Sequence, residues 1–270
     1  MSSDCLFERA GACLQCSDVD EKLDLAGQLR VAFDAGYLRI DRTVHQPGSV
    51  TAGRPVRPEL VAPAKLAQRR LGSVEGRAAL IHAVAHIEFN AINLACDAVY
   101  RFRNMPDAYY ADWTRIAAEE AYHFTLLRDR LGELGYAYGD FPAHNGLWDL
   151  AVQTAGDALE RMALVPRVME ARGLDVTPGM MARFVKAGDQ ATADILAIIL
   201  RDEVGHVEAG SRWFRFLCEQ RGLDSEATYF DLLDAHFRGE IRGPLHRTAR
   251  LEAGFSEAEL GRLEALCSKG

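Results

Sequence analysis

Two short segments, Glu120-Ala121-Tyr122-His123 and Glu203-Val204-Gly205-His206, each set a carboxylate and an imidazole three residues apart, and each follows a further acid, Glu119 or Asp202. Residues three apart share a face of an α-helix, so each pair can aim an oxygen and a nitrogen at one point. That is a metal-ligand spacing. One copy is more often a surface ion pair. Two copies, each inside an apolar helical stripe, demand a fold that buries both.

The stripes are read from helical periodicity. Between residue 107 and about residue 134, Trp113, Ile116, Glu120, His123, Phe124, Leu127 and Leu131 share a face. Glu119 is turned aside by about 100° and reads as a flanking acid. In a helix expected from about 181 to 220, after Pro178 and Gly179, the stripe is Thr192, Leu196, Ile199, Leu200, Glu203, His206, Val207, Gly210, Phe214 and Leu217. A third helix starts behind Ser73, runs to about residue 103 and stops before Pro106. Its core face carries Ile81, Val84, Ala85, Ala91, Ile92, Ala95 and Val99, with Glu88 among them. A buried acid needs a partner, because an isolated carboxylate is costly to desolvate. His82 and His86 point elsewhere, at roughly 120° and 200° from Glu88.

The fourth long helix is expected from about 146 to 171, kinked at Pro166. Glu160 is its natural counterpart to Glu88, on a mixed face, and Asp157 and Glu170 stay open as alternatives. Ahead of these four lies an amphipathic helix capped by Ser17 or Asp18 and ending near residue 33. From 36 to 63, Pro47, Pro55, Pro58 and Pro63 with Gly48 and Gly53 rule out a long regular element, so the segment is expected to wrap the outside. After Gly222 come a helix near 225 to 237, a Gly/Pro loop bearing Arg242, His246, Arg247 and Arg250, and a last helix from Ser256. No strand period is present.

The reading is therefore all-α: an N-terminal helix and wrapping extension (1–70), a ferritin-like four-helix bundle (71–221) and a C-terminal helical extension (222–270). Each half of the bundle supplies Glu, then Glu-x-x-His, and the ligand set is Glu88, Glu120, His123, Glu160, Glu203 and His206. Four carboxylates offset two divalent ions, and two imidazoles favour iron, manganese or zinc over magnesium or calcium.

The net charge of -8 argues against a general phosphate-backbone binder, so nucleic acid is an unfavoured partner and a small molecule a better one. No basic-then-apolar leader opens the sequence, no uninterrupted apolar run reaches membrane length, and a cytoplasmic protein is expected. The six cysteines lack framework spacing and read as reduced thiols. Cys13-Leu14-Gln15-Cys16 looks like half a zinc site without a second pair, and incidental thiols near a mobile terminus are the favoured reading. His144 and Trp148 read as a loop histidine and a core tryptophan.

The runs HAVAHIEFNAINLACDAVYRF, EEAYHFTLL, HNGLW, DALERMALVPRVMEARGLDVTP and RDEVGHVEAGSRWF together resemble a ferritin-like family within the di-iron carboxylate superfamily. The resemblance covers most of residues 50 to 255 and implies the fold and six ligands, with Glu160 at the third-helix position. It also implies that Glu120 and Glu203 bridge two metals while Glu88 and Glu160 sit terminally. Iron is the expected metal, with manganese or a mixed Mn/Fe pair as variants, and dioxygen the expected co-substrate. The leading function is then a dioxygen-dependent oxidase or hydroxylase of a small substrate. A non-catalytic metal-binding or iron-handling bundle is the first alternative and a tRNA-modifying hydroxylase the second; a monomer or dimer is expected rather than a cage. Arg242, Arg247 and Arg250 could meet an anionic substrate, although solvated or structural charges are the favoured reading.

Overall fold

The structure is a computed structural model that describes residues 4–43, 50–66, 70–237 and 243–267. Pro47, Gly48 and Arg242 fall outside the described residues. All regular elements among those described are helical, and the chain divides into two compact units, residues 1–149 and 150–270.

In the first unit, α1 (Leu6–Gln15) and α2 (Val19–Asp34) flank a pair of long helices, α3 (Val74–Arg101) and α4 (Asp107–Glu133). The caps follow from the residues: Asp18 accepts from the Glu21 amide ahead of α2, and Ser73 accepts from Gly76 ahead of α3. Helix α1 differs from the expectation of a mobile terminus. Leu6, Phe7, Ala10, Cys13 and Leu14 are buried, and burying that stripe holds the segment in place. Behind it, Lys22 is fully buried because its ammonium finds three acceptors: Cys13 O at 2.8 Å, Leu14 O at 3.0 Å and Asn93 Oδ1 at 2.5 Å. All six cysteines are free thiols.

The segment after α2 wraps as its prolines and glycines suggest. The Gly53 amide donates to Leu14 O at 2.8 Å, and a Cβ on Gly53 would lie 2.2 Å from Gln15 O, so only glycine fits there. Further on, the Val61 amide donates to Ala143 O at 2.8 Å and the Ala143 amide to Glu59 O at 3.0 Å, pinning the wrap to the loop after α4. By length and composition α3 passes for a membrane span, yet 78% of its most apolar window is buried inside the protein.

Helix α5 (Gly146–Gln153) crosses the division between the units. In the second unit, α6 (Ala158–Leu164) runs through a π-helical segment, Val165–Glu170, into α7 (Ala171–Lys186), and all three pack on α8 (Gln190–Gln220). This corrects the expected boundaries. A turn at 154–157 separates α5 from α6, and Pro178 lies inside α7 rather than ahead of the last bundle helix. A proline inside a helix removes one turn bond at a cost of about 3 kcal/mol. Helix α7 tolerates it because it buries Ala171, Leu174, Thr177 and Phe184 while lying along α8. The break comes instead at Gly188 and Asp189, whose carboxylate caps α8 through the Thr192 amide at 3.1 Å.

Helices α9 (Ser225–Phe237), α10 (Arg247–Glu252) and α11 (Glu257–Cys267) complete this unit. Arg167 anchors them. Its guanidinium is buried between the rings of Phe214, Tyr229 and Phe255, at 4.9, 4.1 and 4.6 Å from their centroids, and pairs with Glu259 at 2.6 Å. Arg250 is equally enclosed and holds Asp175 through two bonds of 2.9 and 2.7 Å. Arg247 pairs with Glu264 at 2.9 Å and with Glu257. Arg250 is thus a buried structural charge, while Arg247 lies half-exposed in surface ion pairs.

Candidate metal centre

Helix α3 delivers Glu88 and helix α4 delivers Glu120 and His123 to one buried point of the first unit. Glu88 is 4% exposed, and Glu120 and His123 are fully enclosed. His123 Nδ1 lies 3.3 Å from Glu88 Oε2 and 3.4 Å from Glu120 Oε2. Each residue offers a ligand atom within 4.8 Å of the others. The periodicity that places these groups is ordinary: Trp113, Ile116, Phe124, Leu127 and Leu131 are all buried on the same side of α4.

The electrostatics of the trio fit a cation. Burial alone works against an imidazolium, but the Glu120 and Glu88 carboxylates outweigh it and push His123 up to about 11. Two carboxylates withdrawn from water thus hold a positive charge between them. A divalent ion suits the same two oxygens and one nitrogen. Glu119, in contrast, pairs on the surface with Arg115 at 2.6 Å and reads as a flanking acid.

In the second unit, α8 sets His206, fully buried, 3.4 Å from Glu203 through Nδ1 and Oε1; the Glu203 side chain is 12% exposed. The register of the opposing helix decides which acid accompanies them. Asp157 caps α6 and forms a two-pronged pair with Arg221, at 2.7 and 2.6 Å, at the end of α8. That pairing holds its carboxyl below the usual range and commits it to structure. Nine residues on, Pro166 meets Gly210 so closely that a Cβ there would lie 2.2 Å from Pro166 Cβ. The two antiparallel helical segments therefore align 157 with 221 and 166 with 210.

On that alignment Glu170, four residues beyond Pro166, falls opposite the turn of α8 that carries His206. Glu160 lies beside the far end of α8, where its charge adds to the field that raises Arg221. At about 1.5 Å per residue, ten residues separate Glu160 from Glu170 by some 15 Å along the axis. Glu160 is the expected third-helix ligand, with Asp157 and Glu170 as the alternatives, and the register of α6 against α8 bears on that choice. A sequence signal was present: 32 residues separate Glu88 from Glu120 (120 − 88), 33 separate Glu170 from Glu203 (203 − 170), and 43 separate Glu160 from Glu203 (203 − 160). Glu170 also closes the π-helical segment, a local widening that recurs at functional sites.

His82 and His86 take no part in the trio. The Gly139 amide donates to His82 Nε2 at 2.9 Å, His86 Nδ1 sits 2.8 Å from the Tyr138 hydroxyl, and burial lowers both to about 4. Trp148 is 7% exposed, a core residue as expected.

Fold and site together define an all-helical protein with a buried carboxylate–histidine group capable of holding a metal ion. The chain belongs to the family described as protein of unknown function DUF455, whose model matches residues 15–261. A protein of Haemophilus influenzae, described as uncharacterized, is 48% identical over 221 residues, covering 79% of this chain and 77% of that protein. No solved structure matches the chain.

Proposed function

We propose that this is a di-metal carboxylate protein of ferritin-like architecture, with the bundle in residues 71–221, that uses dioxygen to oxidise or hydroxylate a small organic substrate. The observation that carries the reading is the enclosure of His123 by two buried carboxylates from different helices. Buried acids in such number are costly unless a cation offsets them. The first unit supplies Glu88, Glu120 and His123 as ligands, and the second supplies Glu203 and His206. Glu170 replaces Glu160 as the sixth, on the register of α8 and the segment facing it. Four carboxylates and two imidazoles suit two ions of iron, or manganese or a mixed pair. When bound, such a pair supplies Lewis acidity and one-electron redox chemistry toward dioxygen. The protein's own part is to present the oxygens and nitrogens and to exclude water around them.

Six reduced thiols favour a reducing compartment, in keeping with a cytoplasmic protein acting as a monomer or dimer without nucleic acid or membrane. Elemental analysis of the purified chain tests the centre: about two transition-metal ions per chain are expected. Protein loaded anaerobically with ferrous ion should then change its optical spectrum on admission of oxygen. Bound metal without that change would leave the first alternative, a non-catalytic metal-binding bundle; no bound metal would end the proposal.

A further inference from the structure

The first unit contains a second enclosed feature that the metal ligands do not use. A cavity of about 160 Å³ lies between α3 and the loop before α5, with Ile87, Phe141 and Leu147 among its apolar walls and His86, Asn90 and His144 as its polar ones. His86 and Asn90 each stand two residues from Glu88, roughly 200° around the helix, so the cavity lies on the side of α3 facing away from that carboxylate. Its contents are independent of the metal reading.

The polar groups are held in place. His86 is fixed by the Tyr138 hydroxyl at Nδ1 (2.8 Å) and by the Asn90 amide at Nε2 (3.1 Å). The same Asn90 nitrogen lies 3.1 Å from the His86 backbone carbonyl, which can only accept, so that end of the amide is Nδ2. The other end, Oδ1, is an acceptor. His144 Nδ1 accepts from the Gly146 amide at 3.2 Å, which puts the neutral ring's proton on Nε2 and makes that atom a donor. Asn90 and His144, which can offer an acceptor and a donor, are thus both among the residues lining a mostly apolar space, and no charged side chain is among its described lining residues.

We infer that this cavity is a binding site for a small neutral ring compound bearing a hydroxyl group, a phenol or cyclic alcohol. The volume suits one ring, since a cavity of roughly 150 Å³ accepts benzene. A hydroxyl satisfies both wall groups at once, accepting from His144 Nε2 and donating to Asn90 Oδ1. A ketone or ether can only accept, and a carboxylate can likewise only accept and carries a charge that is costly to desolvate in a mostly apolar space.

The test is a comparison of phenol, anisole and benzoate binding to the full chain by calorimetry and saturation-transfer NMR. Phenol should bind, anisole about tenfold more weakly for the lost hydrogen bond, and benzoate not measurably. Ala83→Trp and Ile87→Trp place a large ring at the solvent-exposed rim, where folding should survive, and circular dichroism checks that it does. Either folded variant should abolish phenol binding. Failure of phenol to bind, equal binding of phenol and anisole, or undiminished binding in a folded rim variant would overturn the inference. Metal content should be unchanged in both variants, so this outcome and that of the metal centre are read separately.

Discussion

Glu88 on α3 and His123 on α4 meet at 3.3 Å across the interface of two helices, both side chains withdrawn from water. Such a pair persists in a hydrophobic interior only when its charges are matched, and the matching extends to Glu120. Glu88→Ala should therefore lower affinity for ferrous or manganous ion by at least about 100-fold, more than the loss of a residue that merely orients a ligand. Equilibrium dialysis with elemental analysis measures it, and unchanged affinity would remove Glu88 from the ligand set.

Glu170, in place of the Glu160 chosen from sequence, is the proposed sixth ligand. Glu170→Gln should reduce metal content toward one ion or none, and Glu160→Gln should leave it at the wild-type level. The reverse result would show that the segment facing α8 lies ten residues out of the alignment set by Pro166 and Gly210.

Gly210 is required by the same contact. A methyl group there would meet Pro166 at 2.2 Å, between two backbones that cannot easily separate. Gly210→Ala should destabilise the protein by about 1–3 kcal/mol, despite alanine's better helix propensity. Urea midpoints at constant m would report the loss.

His82 predicts a pH dependence. Burial holds it at about 4 against 6.5 in a free chain, so the folded state keeps it neutral where the unfolded state takes up a proton. Its contribution to stability is full above about pH 6.5 and declines as pH falls toward 4. His82→Gln should flatten the stability profile across that window. Urea unfolding at successive pH values measures this, and an unchanged slope would show that His82 titrates normally in the fold.

Arg167 and Glu259 are buried together at 2.6 Å. Arg167→Ala leaves a buried carboxylate without its countercharge and should cost about 3–5 kcal/mol. Adding Glu259→Gln to it should recover part of that loss, giving a double-mutant cycle well short of additive.

Much of the architecture is written in local pattern. Ser73, Asp18 and Gly188 mark helix ends through capping chemistry and positive φ, and the stripes around Glu88 and His123 are one-face periodicities that survive folding unchanged. Helix α1 escaped because ten residues ahead of a turn carry too little pattern until their apolar side is seen buried. Pro178 misled for the opposite reason: its local cost is real, and packing along α8 outweighs it.

Each Glu-x-x-His pair was thus determined by sequence alone, since three residues on a helix fix a shared face whatever surrounds them. That Glu88 approaches His123, and that Asp157 meets Arg221 and Pro166 meets Gly210, was decided only by tertiary structure. Those relations depend on how far one helix slides along another. That sliding is set by contacts such as Pro166 against Gly210 and Asp157 with Arg221, between residues distant in the chain, and periodicity within either helix carries no record of it.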